Sequence, residues 1–222
     1  MLKGFVKPLK LVVLFMAILP LSCATILHPP SNSTSLDDSH SIVFGKVEVT
    51  MDGQPIDLKS DSLLNPKEMV IHISPYVSDE AINQNEFKPG KYCFKVHGDQ
   101  DGCFAFVVPS GKYYFVEFDY LGILPFKSTV GARTYMPING KVENPYLMTF
   151  EAPPNRAVNI GTIKNEFHPL VANLFYSKYE YQISYTNDYE AAQKWFLESN
   201  GNLKDKISEG VTETRPVSVT DK

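Results

Sequence analysis

The fold class that this sequence predicts is mainly β: an antiparallel β-sandwich of about seven to nine strands with one C-terminal α-helix. Three observations lead there. Between Ser41 and Tyr185, apolar and polar residues alternate with a period of two in short runs. Gly, Pro, Asn and Asp separate those runs. Near the C-terminus, one apolar stripe recurs at helical spacing.

The chain opens with a segment of another kind. Lys3, Lys7 and Lys10 precede an apolar run of 11 residues, Leu11 to Leu21. A helix needs about 20 apolar residues to cross a bilayer, whereas runs of 10–14 suit the core of a signal peptide. Residues 1–22 are therefore expected to be a signal peptide. Leu19-Pro20-Leu21-Ser22-Cys23 resembles the lipobox of bacterial lipoproteins, with Pro20 where that family usually has Leu. The resemblance implies cleavage before Cys23, with a diacylglyceryl thioether and an N-acyl chain such as palmitate on that residue. More than one acyl chain gives stable membrane anchoring. Ala24, rather than Asp, follows the cysteine. In a Gram-negative cell envelope the same resemblance implies the outer membrane. The competing reading is ordinary cleavage, after Ala24 for example, with Cys23 discarded.

Residues 23–40 are expected to be the lipidated N-terminus and a flexible linker, since His28 to His40 is polar and rich in Ser and Pro. Fully extended, 24–40 reaches roughly 55–60 Å. The domain then occupies 41–200. Val43, Val47 and Val49 share one strand face, with Lys46 and Glu48 on the other. Asp52-Gly53 makes a turn. Met69 to Ile73 is a short strand. Tyr92 to Val96 and Cys103 to Val108 read as a hairpin centred on Gly98, which sets Cys93 opposite Cys103. A cross-strand disulfide between Cys93 and Cys103 is expected; the alternative is two buried free thiols, and a nucleophilic cysteine comes third because no His stands in a catalytic pattern with either.

Lys112 to Tyr120 is expected to place Tyr114, Val116, Phe118 and Tyr120 on one face, with Glu117 and Asp119 on the other. Leu147 to Phe150, Val158 to Ile163 and Tyr179 to Tyr185 complete the strands. The helix, about 187–199, has Asn187 as N-cap with Glu190 in capping-box position. Its stripe is Tyr189, Ala192 and Phe196, with Trp195 beside it, and Gly201 stops it. Residues 201–222 are polar and aperiodic and read as a mobile tail.

Without its first 22 residues the chain keeps 18 Lys and Arg against 25 Asp and Glu, a net charge of −7. An acidic chain without basic clusters argues against nucleic acid, and against electrostatic docking on anionic lipid.

A second resemblance covers about a third of the mature chain. Ile42 to Val47 followed by Asp52-Gly53-Gln54-Pro55 resembles the opening of transthyretin-like, carboxypeptidase-regulatory-like domains. Asp101 to Phe106 followed by Val108-Pro109-Ser110-Gly111-Lys112-Tyr113 is similar to their next hairpin. The resemblance implies a β-sandwich that serves as an accessory or binding module, and it carries over no catalytic residue.

Chemistry-bearing patterns are few. The histidines at 28, 40, 72, 97 and 168 lack zinc-type spacing. Asp99-Gln100-Asp101-Gly102 begins like a calcium loop, but its Gly comes too early and Ser110 stands where a bidentate Glu is needed. Nucleophile-elbow, phosphate-loop and dinucleotide motifs are missing. The expectation is therefore no metal, no cofactor and no enzyme. The candidate partner surface is apolar: Leu121, Ile123, Leu124 and Phe126, either exposed as a patch or continuing a strand into the core. Function is expected to be that of a membrane-anchored envelope lipoprotein that binds or scaffolds another envelope protein. The alternative is a tethered small-ligand or glycan binder using Tyr113, Tyr114 and Tyr135, and a hydrolase comes third.

Overall fold

The computed structural model describes residues 24–31, 34–56, 68–78, 91–97, 101–123, 127–133, 137–138, 141–142, 146–172, 177–210 and 212–216. Cys23 and residues 1–22, expected to be a signal peptide, lie outside them.

In chain order the strands are β1 (Thr25–Ile26), β2 (His40–Met51), β3 (Gln54–Pro55), β4 (Glu68–Pro75) and β5 (Tyr92–His97). Next come β6 (Cys103–Pro109), β7 (Gly111–Ile123), β8 (Lys127–Arg133), β9 (Pro137–Ile138) and β10 (Lys141–Val142). They are followed by β11 (Tyr146–Ala152), β12 (Ala157–Ala172) and β13 (Ser177–Thr186). The helix α1 (Glu190–Asn200) runs into a 3-10 turn, Gly201–Lys206, and then β14 (Ile207–Glu209) and β15 (Glu213–Pro216).

The protein is mainly β, as the alternation predicts, and every expected strand is present. The expectation of purely antiparallel sheets is wrong. The first sheet runs β1-β5-β4-β7-β11-β15, with β8 also on β7. The second runs β13-β12-β2-β3, with β14 also on β12 and β6 also on β2. Both are mixed, because β1 is parallel to β5, and β12 is parallel to both β2 and β14. Alternation reports which side of a strand is apolar, not which way its neighbour runs, so this lay beyond the pattern. A separate two-stranded ribbon, β9-β10, completes the list.

The two sheets share one core. Val43, Val47 and Val49 of β2 and Phe104, Phe106 and Val108 of β6 meet residues of β4, β5, β7 and β11 there. Phe94 of β5 stacks on Phe106 with ring centroids 4.2 Å apart. A second, smaller core lies on the other face of the second sheet, where α1 packs. Phe196 stacks on Phe44 at 4.1 Å, nearly coplanar at 9°.

Two local rules govern the strand faces. In β7 a bulge opposite His72 and Ile73 resets the alternation. Phe115 and Phe118 both join the core, whereas the unbroken pattern had put Tyr114, Val116, Phe118 and Tyr120 together. In β12 the register shifts between Asn159 and Thr162, and Gly161 there has φ +76. A Cβ on Gly161 would sit 2.7 Å from the Thr186 carbonyl oxygen, so only glycine fits.

The helix begins differently from its expected capping box. Tyr189 is the N-cap, without a side-chain cap, and Gln193 N–H donates to the Tyr189 carbonyl at 3.0 Å. Gly201 keeps right-handed helical angles, so the chain tightens into the 3-10 turn instead of reversing. The stretch expected as a mobile tail supplies β14 and β15, one edge strand for each sheet.

Residues expected as a flexible linker also belong to the fold. Thr25 N–H donates to the Lys91 carbonyl at 2.9 Å and Leu27 N–H to that of Cys93 at 2.8 Å. Val107 N–H then donates to the His28 carbonyl at 3.1 Å. The segment thus crosses from the edge of the first sheet to the edge of the second. Leu36 is buried in the smaller core. Beyond it, Ser39 donates its N–H and hydroxyl to Asp37, and these bonds hold the Asp37 carboxyl down at about 2.

Candidate functional site

The crossing of residues 24–30 creates a cleft. It has a volume of about 330 Å³ and lies between this segment, β5, β6 and α1. Phe94 and Ala105 belong to its floor. One wall is Ile26 to Pro30, whose two prolines fix their own φ angles. The opposite wall is α1, where Trp195 and Ser199 stand one helical turn apart and Asn200 follows. Lys95 also lines it.

Several polar side chains line the cleft. Asn200 donates Nδ2 to the Phe196 carbonyl at 3.1 Å, which leaves its oxygen as acceptor. The Trp195 indole N–H, the His28 ring and the Ser199 hydroxyl have no hydrogen-bond partner among the described residues. Among the described residues no Asp or Glu lines the cleft, although the chain as a whole is acidic. A second cavity, about 270 Å³, has the opposite character: Glu151, Glu209 and Glu213 line it, and Lys112 pairs with Glu213 at 3.3 Å.

The cysteine hairpin is a correction. Cys93 and Cys103 are both free thiols. Their strands do not pair; β5 belongs to the first sheet and β6 to the second. Phe94 and Phe104 face each other in the core, so the residues preceding them point to opposite outer faces. Burial pushes the Cys103 thiol up to about 11 and also raises that of Cys93. Both are protonated at neutral pH, which is poor for a nucleophile.

Cys93 lies directly opposite His72 on β4, and His72 lies opposite Glu117 on β7. His72 Nε2 is 3.4 Å from Asp119 Oδ2. Glu117 and Asp119 thus share the expected face and have a histidine beside them. Among the described residues, no three His, Cys, Asp or Glu side chains converge as for a metal ion. The calcium-like loop is described only from Asp101 onward, and Asp101-Gly102 forms a turn with φ +50 and +78.

The other expected positions resolve unevenly. Tyr113 and Tyr114 are only 3% and 6% exposed, and Tyr113 donates its hydroxyl to the Pro109 carbonyl at 2.6 Å. They form no glycan platform, and Tyr135 lies outside the described residues. Leu121 and Ile123 belong to β7, opposite Thr129 and Lys127 of β8. Leu124 and Phe126 lie outside the described residues.

Sequence reasoning missed the cleft. Its signal was Trp195, an aromatic residue next to the helix stripe instead of within it. No helix of the described residues is long and apolar enough to cross a membrane. Comparison with protein-family models, with curated proteins and with solved structures finds no match to this chain.

Proposed function

We propose that this chain is a lipid-anchored lipoprotein of the cell envelope, held through Cys23, whose transthyretin-like β domain is a non-catalytic module binding another envelope protein. The observation that supports this reading is the course of residues 24–30. Thr25 is already hydrogen-bonded to the fold, two residues after Cys23. Two residues span about 7 Å, against the 55–60 Å of a free linker. A lipid on Cys23 therefore holds the domain close against the bilayer, with the cleft near the anchor. Anchor and binding surface then form one unit, as suits an assembly or scaffold role at the outer membrane.

Two measurements test the parts separately. Cys23→Ala is expected to move the protein from the membrane to the soluble fraction; unchanged fractionation sinks the anchor. Crosslinking in the native cell, followed by mass spectrometry, is expected to recover one dominant envelope protein. Recovery of none sinks the protein partner. The cleft specifically favours a second reading, a tethered small-ligand or glycan binder, with its site on α1 instead of the tyrosines.

A further inference from the structure

We propose that the end of the first sheet where residues 24–26 join the fold is a membrane-contact face, seated in the headgroup layer of a phospholipid bilayer. This rests on the reading of the chain as anchored at Cys23 and assigns the side of the domain that meets the membrane. Position is the first argument. Thr25 N–H donates to the carbonyl of Lys91, the residue before β5, and Ile26 lies opposite Cys93. Lys91 N–H donates to the Ser74 hydroxyl oxygen at 3.0 Å, and Tyr76 N–H to the Lys112 carbonyl at 2.8 Å. The end of β4 and the starts of β5 and β7 therefore lie side by side, next to β1. A membrane-held Cys23 is three residues from Ile26, a span of about 10 Å.

The exposed side chains are the second argument. Among the described residues two large hydrophobic side chains are exposed, Val77 at 75% and Ile26 at 55%. Both belong to this end: Val77 follows Tyr76, and Ile26 is the β1 residue opposite Cys93. Each leaves water when it enters the boundary between headgroups and acyl chains, and the gain grows with the apolar area removed.

The groups around them suit a headgroup layer. Tyr76 and Tyr92 are amphipathic rings of the kind that collect at membrane–water interfaces. The Lys112 ammonium lies 5.2 Å from the centroid of the Tyr76 ring, and that of Lys91 lies 5.3 Å from the centroid of Tyr92. Long lysine stems let such ammonium groups stay with the phosphates while apolar neighbours go deeper. Lys112 also pairs with Glu213 at 3.3 Å. Glu151 and Glu213 stand on β11 and β15, beyond β7, so the contact is confined to β1, β4, β5 and β7. The acidic balance of the whole chain argues against docking by charge, so the seating is apolar, with the two lysines at its rim.

The test uses the full chain on vesicles of phosphatidylethanolamine and phosphatidylglycerol, doped with a phosphatidylcholine that carries a photoreactive diazirine near the glycerol end of one acyl chain. Irradiation followed by peptide mass spectrometry locates the adducts. They are expected on Ile26, Tyr76 and Val77, and are expected to persist in about 1 M salt, where the screening length falls to about 3 Å. Val77→Asp is expected to lower the adduct yield on Tyr76 about tenfold at an unchanged thermal midpoint, in line with keeping one apolar side chain out of the bilayer. Val77→Leu is expected to preserve the yield. Adducts confined to the peptide containing Cys23 overturn the contact face and leave the anchor standing. Adducts on Tyr76 and Val77 of a chain whose Cys23 carries no acyl mass support the face and sink the anchor. Adducts elsewhere on the domain, their loss in salt, or indifference to Val77→Asp overturns the inference.

Discussion

Asn165 presents the sharpest energetic test. It lies in β12 between Ile163 and Phe167, opposite Val49 of β2 and Ile183 of β13, and all four pack in or against the main core. It is 1% exposed, and neither Nδ2 nor Oδ1 has a hydrogen-bond partner among the described residues. A buried polar group left unpaired costs about 1–3 kcal/mol. Two such atoms on one side chain put the cost at about 2–4 kcal/mol. Leucine has nearly the same size and shape and no polar atom, so Asn165→Leu is expected to stabilise the fold by that amount. With a urea slope of about 2 kcal/mol per molar, the unfolding midpoint rises by about 1–2 M. Urea titration followed by far-ultraviolet circular dichroism measures it. An unchanged or lower midpoint would refute the reasoning and show that the amide is bonded in solution, to water or to a ligand between the sheets.

Other perturbations give equally definite outcomes. Phe196→Ala removes the ring stacked on Phe44 and is expected to cost about 3–5 kcal/mol, read as a lowered denaturation midpoint with loss of helical signal. Gly102→Ala drives a Cβ into the Val47 carbonyl oxygen at φ +78, and should cost at least about 1–3 kcal/mol in the same assay. Gly201→Ala meets nothing within 4 Å at helical angles and should be neutral or stabilising by up to about 1 kcal/mol. Burial raises the folded-state value of the Cys103 thiol from 9.0 to about 11, so its contribution is complete below pH 9 and is lost between 9 and 11. Tyr113, pushed by burial from 10.0 to about 12, extends the loss upward. Urea midpoints that hold steady from pH 8.5 to 11 would contradict this. Denaturation without reductant should let iodoacetamide alkylate both Cys93 and Cys103, which mass spectrometry would count.

The alternation in β2 was legible because its face is uniform: Val43, Val47 and Val49 in, Lys46 and Glu48 out. Asp52-Gly53 was legible as a turn for a backbone reason, since both residues have positive φ between the paired Met51 and Gln54. What stayed hidden depends on partners distant in sequence. The β7 bulge is visible only against β4. The hairpin centred on Gly98 was locally plausible, and it fails because β5 and β6 each find a better neighbour elsewhere, β4 and β2. Residues 24–30 look like a linker because their bonds come from their backbone, on which side-chain composition is silent. The cleft shares that fate, for its walls come from four separate segments.

The pairing of β2 with β12 also sets a clock. Ile42 lies opposite Ala157, 115 positions later, so the middle of the second sheet joins stretches far apart in the chain. The closure entropy of such a span is lost before any of its contacts form, and long-range pairing folds far more slowly than local hairpins. One edge of β2 must wait until most of the domain has been synthesised. A chain in that condition can still be threaded through a narrow channel. If the chain is exported to the envelope as proposed above, this late-closing register would keep it threadable until translocation is complete.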